Sequence, residues 1–414
     1  MRVVFSISMF VFYGFCQAQC LTGDCNSGTG TYRYSTGAVY SGQFKEKKEN
    51  GQGEMQWANG DSYTGEWKNG SMHGKGNYTW SSGNTYSGMW NQGKKNGYGV
   101  YTWTNGDRYE GMYMNDEYHG QGKMIWTTGD MYAGDYLKGN KEGYGEYVWS
   151  SGDRYLGDWK ANNRTGRGTL TFASGDTYEG EFLNDMKHGN GVYRFSNGNR
   201  YEGAWLDNMY HGIGKLFYQN GDVYSGHFAK DQKEGLGTYK YATGDKYEGN
   251  WKGGYRNGIG TYTWSDGRVY QGEWLQGKRS GMGVMTWTDG IRYEGNWLMD
   301  MMDGQGVCTW DSGDRYEGGW KQDKRSGYGR YVWADGSYYE GEYLHNHMHG
   351  NGTFGSSEGS LYRGEFANGN YNGKGKLVLS NGSTEEGIFE DGVLVKGVKT
   401  DISGKKKKVK PAKK

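Results

Sequence analysis

Residues 51–67, Gly-Gln-Gly-Glu-Met-Gln-Trp-Ala-Asn-Gly-Asp-Ser-Tyr-Thr-Gly-Glu-Trp, decide the fold. Large side chains alternate with small or polar ones at period two on both sides of Asn59-Gly60, which is the signature of a β-hairpin. A two-residue loop would put Trp57 and Tyr63 on opposite faces. A three-residue loop, Ala58-Asn59-Gly60 with Gly60 left-handed, restores the parity and sets Met55 opposite Tyr63 and Gly53 opposite Gly65. Facing glycines leave a gap on the inner face for aromatic rings of the same or the next hairpin to cover.

The same pattern recurs every 23 residues, from Gly28 to Val395, as sixteen units without insertion or deletion. Four glycine columns, exemplified by Gly51, Gly53, Gly60 and Gly65, are filled in every unit and use 64 of the 78 glycines. All 17 tryptophans fall in the columns of Trp57 and Trp67. The predicted repeat core is therefore Trp57, Tyr63, Trp67, Trp80, Tyr86, Trp90, Trp103, Tyr109, Trp126 and Tyr132 and their equivalents. One hairpin cannot bury such a face alone, so the second strand of each unit is expected to pair with the first strand of the next. The predicted fold is all-β, an elongated ribbon of stacked antiparallel hairpins extending on the order of 150 Å.

Composition excludes the main alternatives. With 34% hydrophobic residues, 78 glycines and 1 proline in 414 residues, the chain lacks the aliphatic content of conventional α/β domains or helix bundles. An aromatic content of 16% argues against simple disorder. The net charge of +1 includes seven lysines in the last ten residues, so the body is mildly acidic and unlike a nucleic-acid-binding groove.

Residues 1–18 read as a secretory signal peptide: Arg2, an apolar run from Val3 to Phe15, and Ala18 at the cleavage position. Residues 19–27 form a short N-terminal cap, residues 28–395 the repeats, and residues 396–414 a lysine-rich tail expected to be disordered. In an oxidising compartment Cys20 and Cys25 are expected to close a disulfide loop over the first sheet edge. Cys308 occupies a slot held elsewhere by Tyr, Met or Leu and reads as a small core residue. Leu377, Leu379, Ile388 and Phe389 give the last unit an aliphatic cap, with Glu385 in the tyrosine column.

The repeated Tyr-x-Gly-x-Trp and Gly-x-Gly-x-Tyr-x-Trp, as in Tyr86 to Trp90 and Gly97 to Trp103, resemble the MORN repeat family over 368 of 414 residues. The resemblance implies elongated β-hairpin rods used for scaffolding, protein association and sometimes membrane attachment. Relatives in which such repeats accompany a kinase or methyltransferase domain carry residues for a second domain that this chain lacks. The signal-like N-terminus and its cysteines depart from the common intracellular members.

Candidate sites are weighed against the repeat itself. His345, His347 and His349 have an alternate spacing that suits a metal, but His349 shares its column with His73, His119, His188 and His211, a polar connector slot, so no metal site is assigned. Asp61, Asp107, Asp130, Asp153 and Asp176 follow the turn glycine and read as turn-stabilising. Glu110, Glu179, Glu202 and Glu248 form an intermittent acidic column on the opposite face. No catalytic residue and no cofactor is assigned, and no binding residue is identified. The expected function is a non-catalytic scaffold or interaction protein, secreted, periplasmic or on the cell surface, with a protein partner and a capacity to self-associate. Alternatives are an extracellular glycan or cell-wall binding module, and a membrane tether acting through the repeats or the basic tail. Lys405 to Lys408, Lys410, Lys413 and Lys414 would meet an anionic surface; no nucleic acid is expected.

Overall fold

Trp57 donates its backbone N–H to the Asp61 carbonyl (2.9 Å) and accepts from Gly60 N–H (3.0 Å), closing the three-residue loop read from the sequence. Gly60 has φ 94°, a conformation that costs a side-chain-bearing residue energy. Met55 faces Tyr63 and Gly53 faces Gly65. Strand Ser62–Lys68 then returns into Ser71–Thr79 through Asn69-Gly70. Both turn residues have positive φ, 51° and 83°, the two-residue geometry whose twist matches the flanking strands. Beyond that turn the register slips between Gly65 and Glu66, a bulge that recurs in unit two between Gly249 and Trp251.

The computed structural model describes residues 17–410. Thirty-five strands and no helix occur among them, and the strands pair antiparallel with their neighbours along the chain. The chain divides into two units: unit one is Met1–Ser196 with Trp205–Asn208, unit two is Asn197–Ala204 with Met209–Lys414. The same construction recurs inside each.

Its centre is a row of facing glycines. A Cβ on Gly65 would sit 2.5 Å from Gly76 Cα, and one on Gly76 would sit 2.2 Å from the Tyr63 hydroxyl. The tyrosine ring thus lies directly on backbone, and its hydroxyl donates to the Glu66 carbonyl (2.9 Å). Trp67 and Trp90 close on Tyr63 edge-on, with ring centres 5.2 and 5.6 Å away. Unit two repeats the arrangement: Trp251 and Trp274 stand 5.2 and 5.4 Å from Tyr247, which covers Gly249 and Gly260. Edge-to-face packing between successive hairpins is how a single sheet layer seals a core without a second layer. Tyr63, Tyr86, Tyr109 and Tyr132 are accordingly buried, as are Trp67 and Trp90.

Four residues depart from the predicted core. Trp57, Trp80, Trp103 and Trp126 are only half-buried. They flank the three-residue turns at the sheet margin, where the next unit covers one ring face: Trp57 meets Tyr78 at 5.2 Å and Trp80 meets Tyr101 at 5.1 Å. The column shares the inner face but not its closed centre.

The tail also differs from expectation. Residues 396–409 are not disordered: Val393–Thr400 and Lys406–Val409 are strands, joined by a turn in which Asp401 N–H donates to Lys405 O (3.0 Å). The sequence closes a seventeenth hairpin of the same kind. Gly397 faces Gly387 on one side, extending the glycine row, and Val409 on the other, ending it. Period reading missed this because the last unit is shorter by one residue and has lysines where the aromatics belong. Residues 1–16 of the proposed signal segment and the end of the tail beyond residue 410 lie outside the described residues. At the opposite end, Cys20 and Cys25 are joined by a disulfide beside strand Gln19–Gly23, which pairs with Thr29–Arg33. Cys308 is buried opposite Tyr293, and burial pushes its thiol up to about 11.

Candidate functional site: the cation-lined aromatic margin

Two rows of turns border the inner face, and side chains tie each row from unit to unit. Asp61, which follows the turn glycine, accepts from Ser81 N–H (2.7 Å) and from the Tyr78 hydroxyl (2.8 Å), both in the next hairpin. Asp130 does the same with Ser150 and Tyr147, and Asp245 with Ser265 and Tyr262. The aspartates therefore do more than shape their own turns: they staple one hairpin to the next. The Ser150 amide holds the Asp130 carboxyl below its usual range, and the Ser265 amide does so for Asp245. On the other border Asp116, Asn162, Asp185, Asp231 and Asp300 accept the backbone N–H of Lys95, Lys141, Arg164, Tyr210 and Arg279 at 2.7 to 2.9 Å.

Between those borders lies a column the sequence reading passed over. Lys95, Lys141, Arg164, Lys187, Lys233, Arg256, Arg279 and Arg325 stand two residues before the first glycine of their units. Pairing puts several of them directly opposite the buried aromatic column: Trp90 faces Lys95, Trp159 faces Arg164 and Trp274 faces Arg279. Lys141 Nζ lies 4.3 Å from the centre of the Trp159 ring, and Arg256 and Arg279 sit at 4.3 Å from Trp274 and Trp297. Lys233 is held 4.5 Å from Tyr239 and 4.9 Å from Trp251. Ring faces attract these cations, each contact contributing about 0.5 to 2 kcal/mol.

Burial costs them hydration. Desolvation pulls Lys233 down to about 8 against the opposing pull of Asp222, and lowers Lys95 and Lys141 as well, where Asp116 and Asp185 oppose it. Where the column carries tyrosine instead, the ring stacks flat on the core tyrosine at 3.8 Å: Tyr118 on Tyr109, Tyr210 on Tyr201 and Tyr371 on Tyr362. The column is thus a lid over the tyrosine row, uncharged in some units and cationic in eight. Its spacing of two from the first glycine was the parity signal that could have put it on the inner face, but a lysine or arginine on a strand reads as solvated, and only the register opposite the tryptophans shows otherwise.

The half-buried tryptophans border this lid. In unit one Trp149, Phe172, Arg164 and Lys187 line a cleft of about 370 Å³ with Asp153 and Asp185. Its chemistry is aromatic faces beside charges of both signs, with Arg164 bonded to Asp185 at 3.1 Å.

The remaining sequence candidates do not converge. His345 lies in a two-residue turn, His347 faces Leu344, and His349 faces Glu342 while its carbonyl accepts from Tyr339. Among the described residues no three metal-ligating side chains gather. Glu110, Glu202 and Glu248 lie on the outer face in ion pairs with Arg108, Arg200 and Lys246 at 2.6 to 2.7 Å.

No curated protein matches the chain. Similar solved structures include the TCP domain of SAS-4 (dCPAP) of Drosophila melanogaster in complex with a proline-rich motif of Ana2, 13% identical, covering 47% of this chain and 86% of that one at a TM-score of 0.21. A virginiamycin B lyase from Staphylococcus aureus is 11% identical over 72% of this chain and 85% of that one, at a TM-score of 0.12. Scores this low say nothing about function. The MORN repeat model, in contrast, matches fifteen times between residues 40 and 384, each match starting at a core tyrosine or, for 247–267, at Tyr247 of a shorter one. With one register from Tyr40 to Tyr362 and the glycine and tyrosine columns placed as described, the chain belongs to the MORN repeat family, as a repeat scaffold or interaction protein.

Proposed function

We propose that the chain is a non-catalytic scaffold that holds an anionic, partly apolar segment of another protein along the cation-lined aromatic margin. The observation that carries this reading is the coincidence of desolvated Lys95 and Lys141 with half-exposed tryptophans one column away; Lys233 has Tyr218 and Tyr241 in that column. A buried ammonium that has lost water gains most from an incoming anion. The test is capture of partners by the immobilised full-length chain beside Lys141→Gln/Trp149→Ala, with far-UV spectra matched. A bound species lost with the double variant is expected; identical capture by both chains overturns the assignment.

The setting we propose is extracytoplasmic, secreted or on the cell surface. The apolar run Val3 to Phe15 and the Cys20 to Cys25 bridge support it. N-terminal sequencing of the native protein should give Gln19; a chain retaining Met1 contradicts secretion.

A second reading, recognition of a glycan, draws on the outer face of unit one. Tyr98 and Tyr144, 50% and 55% exposed, border a groove of about 820 Å³ with Gln121 and Asp135 between them, and the Tyr98 hydroxyl is pinned to Glu110. Exposed rings flanking amide and carboxylate groups suit sugar faces. Binding on a glycan array abolished by Tyr144→Ala favours this reading over the first. A tether reading draws on the exposed lysines of strand Lys406–Val409. It requires that a chain ending at Gly404 lose a salt-sensitive contact with anionic liposomes.

A further inference from the structure

The outer face of unit two carries an apolar patch that the inner-face reading leaves unused. Leu236, Ile259 and Met282, each between the two closely spaced glycines of its strand, are 63, 58 and 52% exposed. Tyr255, Leu275 and Leu298, beside the two-residue turns, are 61, 57 and 49% exposed. All six share the outer face, because Ile259 and Leu275 neighbour the inward-facing Gly260 and Trp274 along their strands. Unit one has Lys75, Gln121 and Arg167 at positions equivalent to Ile259.

Charges at the centre of the patch are already satisfied. Glu273, which faces Ile259, turns its carboxylate onto backbone and accepts from Met282 N–H (3.0 Å). Lys246 pairs with Glu248 and Arg292 with Glu294, both at 2.7 Å. Lys252 and Lys278 are exposed at the turn margin. A strongly charged partner finds no uncompensated opposite charge in the centre of this surface, whereas a neutral apolar face loses nothing by covering it.

We propose that this face joins two copies of the chain in an isologous dimer. Leu236, Ile259 and Met282 recur at one-repeat steps, so a two-fold axis at Ile259 sets Ile259 against itself and Leu236 against Met282 of the second copy. Two such sheets stack face to face about 10 Å apart with side chains interdigitated. Six side chains at this exposure present on the order of 700 Å² per copy, close to the roughly 800 Å² per partner of a standard interface and above the few hundred Å² that monomers leave exposed. The inference is independent of what binds the inner face.

Sedimentation equilibrium of the full-length chain at micromolar concentrations tests it. The dimer mass is expected for the native sequence. Ile259→Asp and Leu275→Asp should each raise the dimer dissociation constant about 30-fold or more, as loss of a central anchor does, with unchanged far-UV spectra. Met282→Lys serves as a third variant should either aspartate disturb the sheet, and Tyr144→Asp in unit one should leave the mass unchanged. A monomer mass at every concentration, or a dimer indifferent to the unit-two substitutions, overturns the proposal.

Discussion

Units one and two are built alike on one face and differently on the other. On the inner face Gly65 and Gly76 under Tyr63 match Gly249 and Gly260 under Tyr247 to within a few tenths of an ångström. On the outer face, the slot between the two glycines of each strand includes Lys75, Tyr98, Gln121, Tyr144 and Arg167 in unit one, whereas unit two runs Ile213, Leu236, Ile259, Met282 before Gln305, Tyr328, Asn351 and Lys374. Backbone contact fixes the first set, because any side chain would push strands apart. Solvent contact leaves the second set free to differ, and so that is where the two units acquire different surfaces.

The strongest challenge to the shared inner face is a methyl group in the glycine row. Gly134→Ala in unit one and Gly249→Ala in unit two each place a Cβ 2.4 to 2.5 Å from a facing backbone Cα. Each should cost about 3 kcal/mol or more, read as the shift in urea midpoint, and the two losses should agree within about 1 kcal/mol. Hydrogen exchange should locate the lost protection in the substituted hairpin and its neighbours. A large loss in one unit alone would mean that the two inner faces are not equivalent.

Acid should weaken both units. Asp61, Asp107, Asp130 and Asp176 in unit one and Asp245 in unit two are held low chiefly by backbone amides, all five from the following hairpin's turn. A depressed carboxyl contributes stability that is present above its unfolded value near 3.9 and is lost as pH falls through the folded one. Melting temperature should therefore fall below about pH 4, and Asp130→Asn should flatten part of that fall. A melting temperature constant down to pH 2 would remove the staples from the account.

A smaller effect is expected at alkaline pH, where burial lowers Lys95 and Lys141 of unit one in the same direction as Lys233 of unit two. Lys233, in unit two, is lowered by burial to about 8, so its charged form is disfavoured in the fold. Stability should rise as pH increases from 8 toward 9.5, by less than about 1 kcal/mol after solvent screening, and Lys233→Met should abolish the rise. Equal pH dependence in the variant would show that the ammonium is fully hydrated.

Much of this was legible from period and parity. The register of Met55 on Tyr63, the left-handed Gly60 and the facing Gly53 and Gly65 follow from alternation around a three-residue loop. What escaped depends on neighbours in space. That Asp61 reaches Ser81, twenty residues away, is invisible within a single hairpin. Lys141 looks like a solvated strand lysine until Trp159 is placed above it. Alternation assigns Trp57 and Tyr63 to one face and cannot tell its centre from its margin, which is why the tryptophans beside the turns were read as core. The strand Lys406–Val409 has no aromatic or glycine to mark it, and its lysines fit an exposed edge that discourages further strand addition.

The distinction between centre and margin is the claim on which the functional reading stands, and Tyr132 and Trp126 of one unit test it most directly. Tyr132 is fully buried on Gly134 and Gly145, whereas Trp126 is half-buried beside its turn with Tyr147 at 5.7 Å. Urea unfolding of Tyr132→Ala and Trp126→Ala, compared under one condition, should give losses of about 3 to 4 kcal/mol and about 1 kcal/mol. Equal losses would make the tryptophan column core and would contradict a margin left open for a partner.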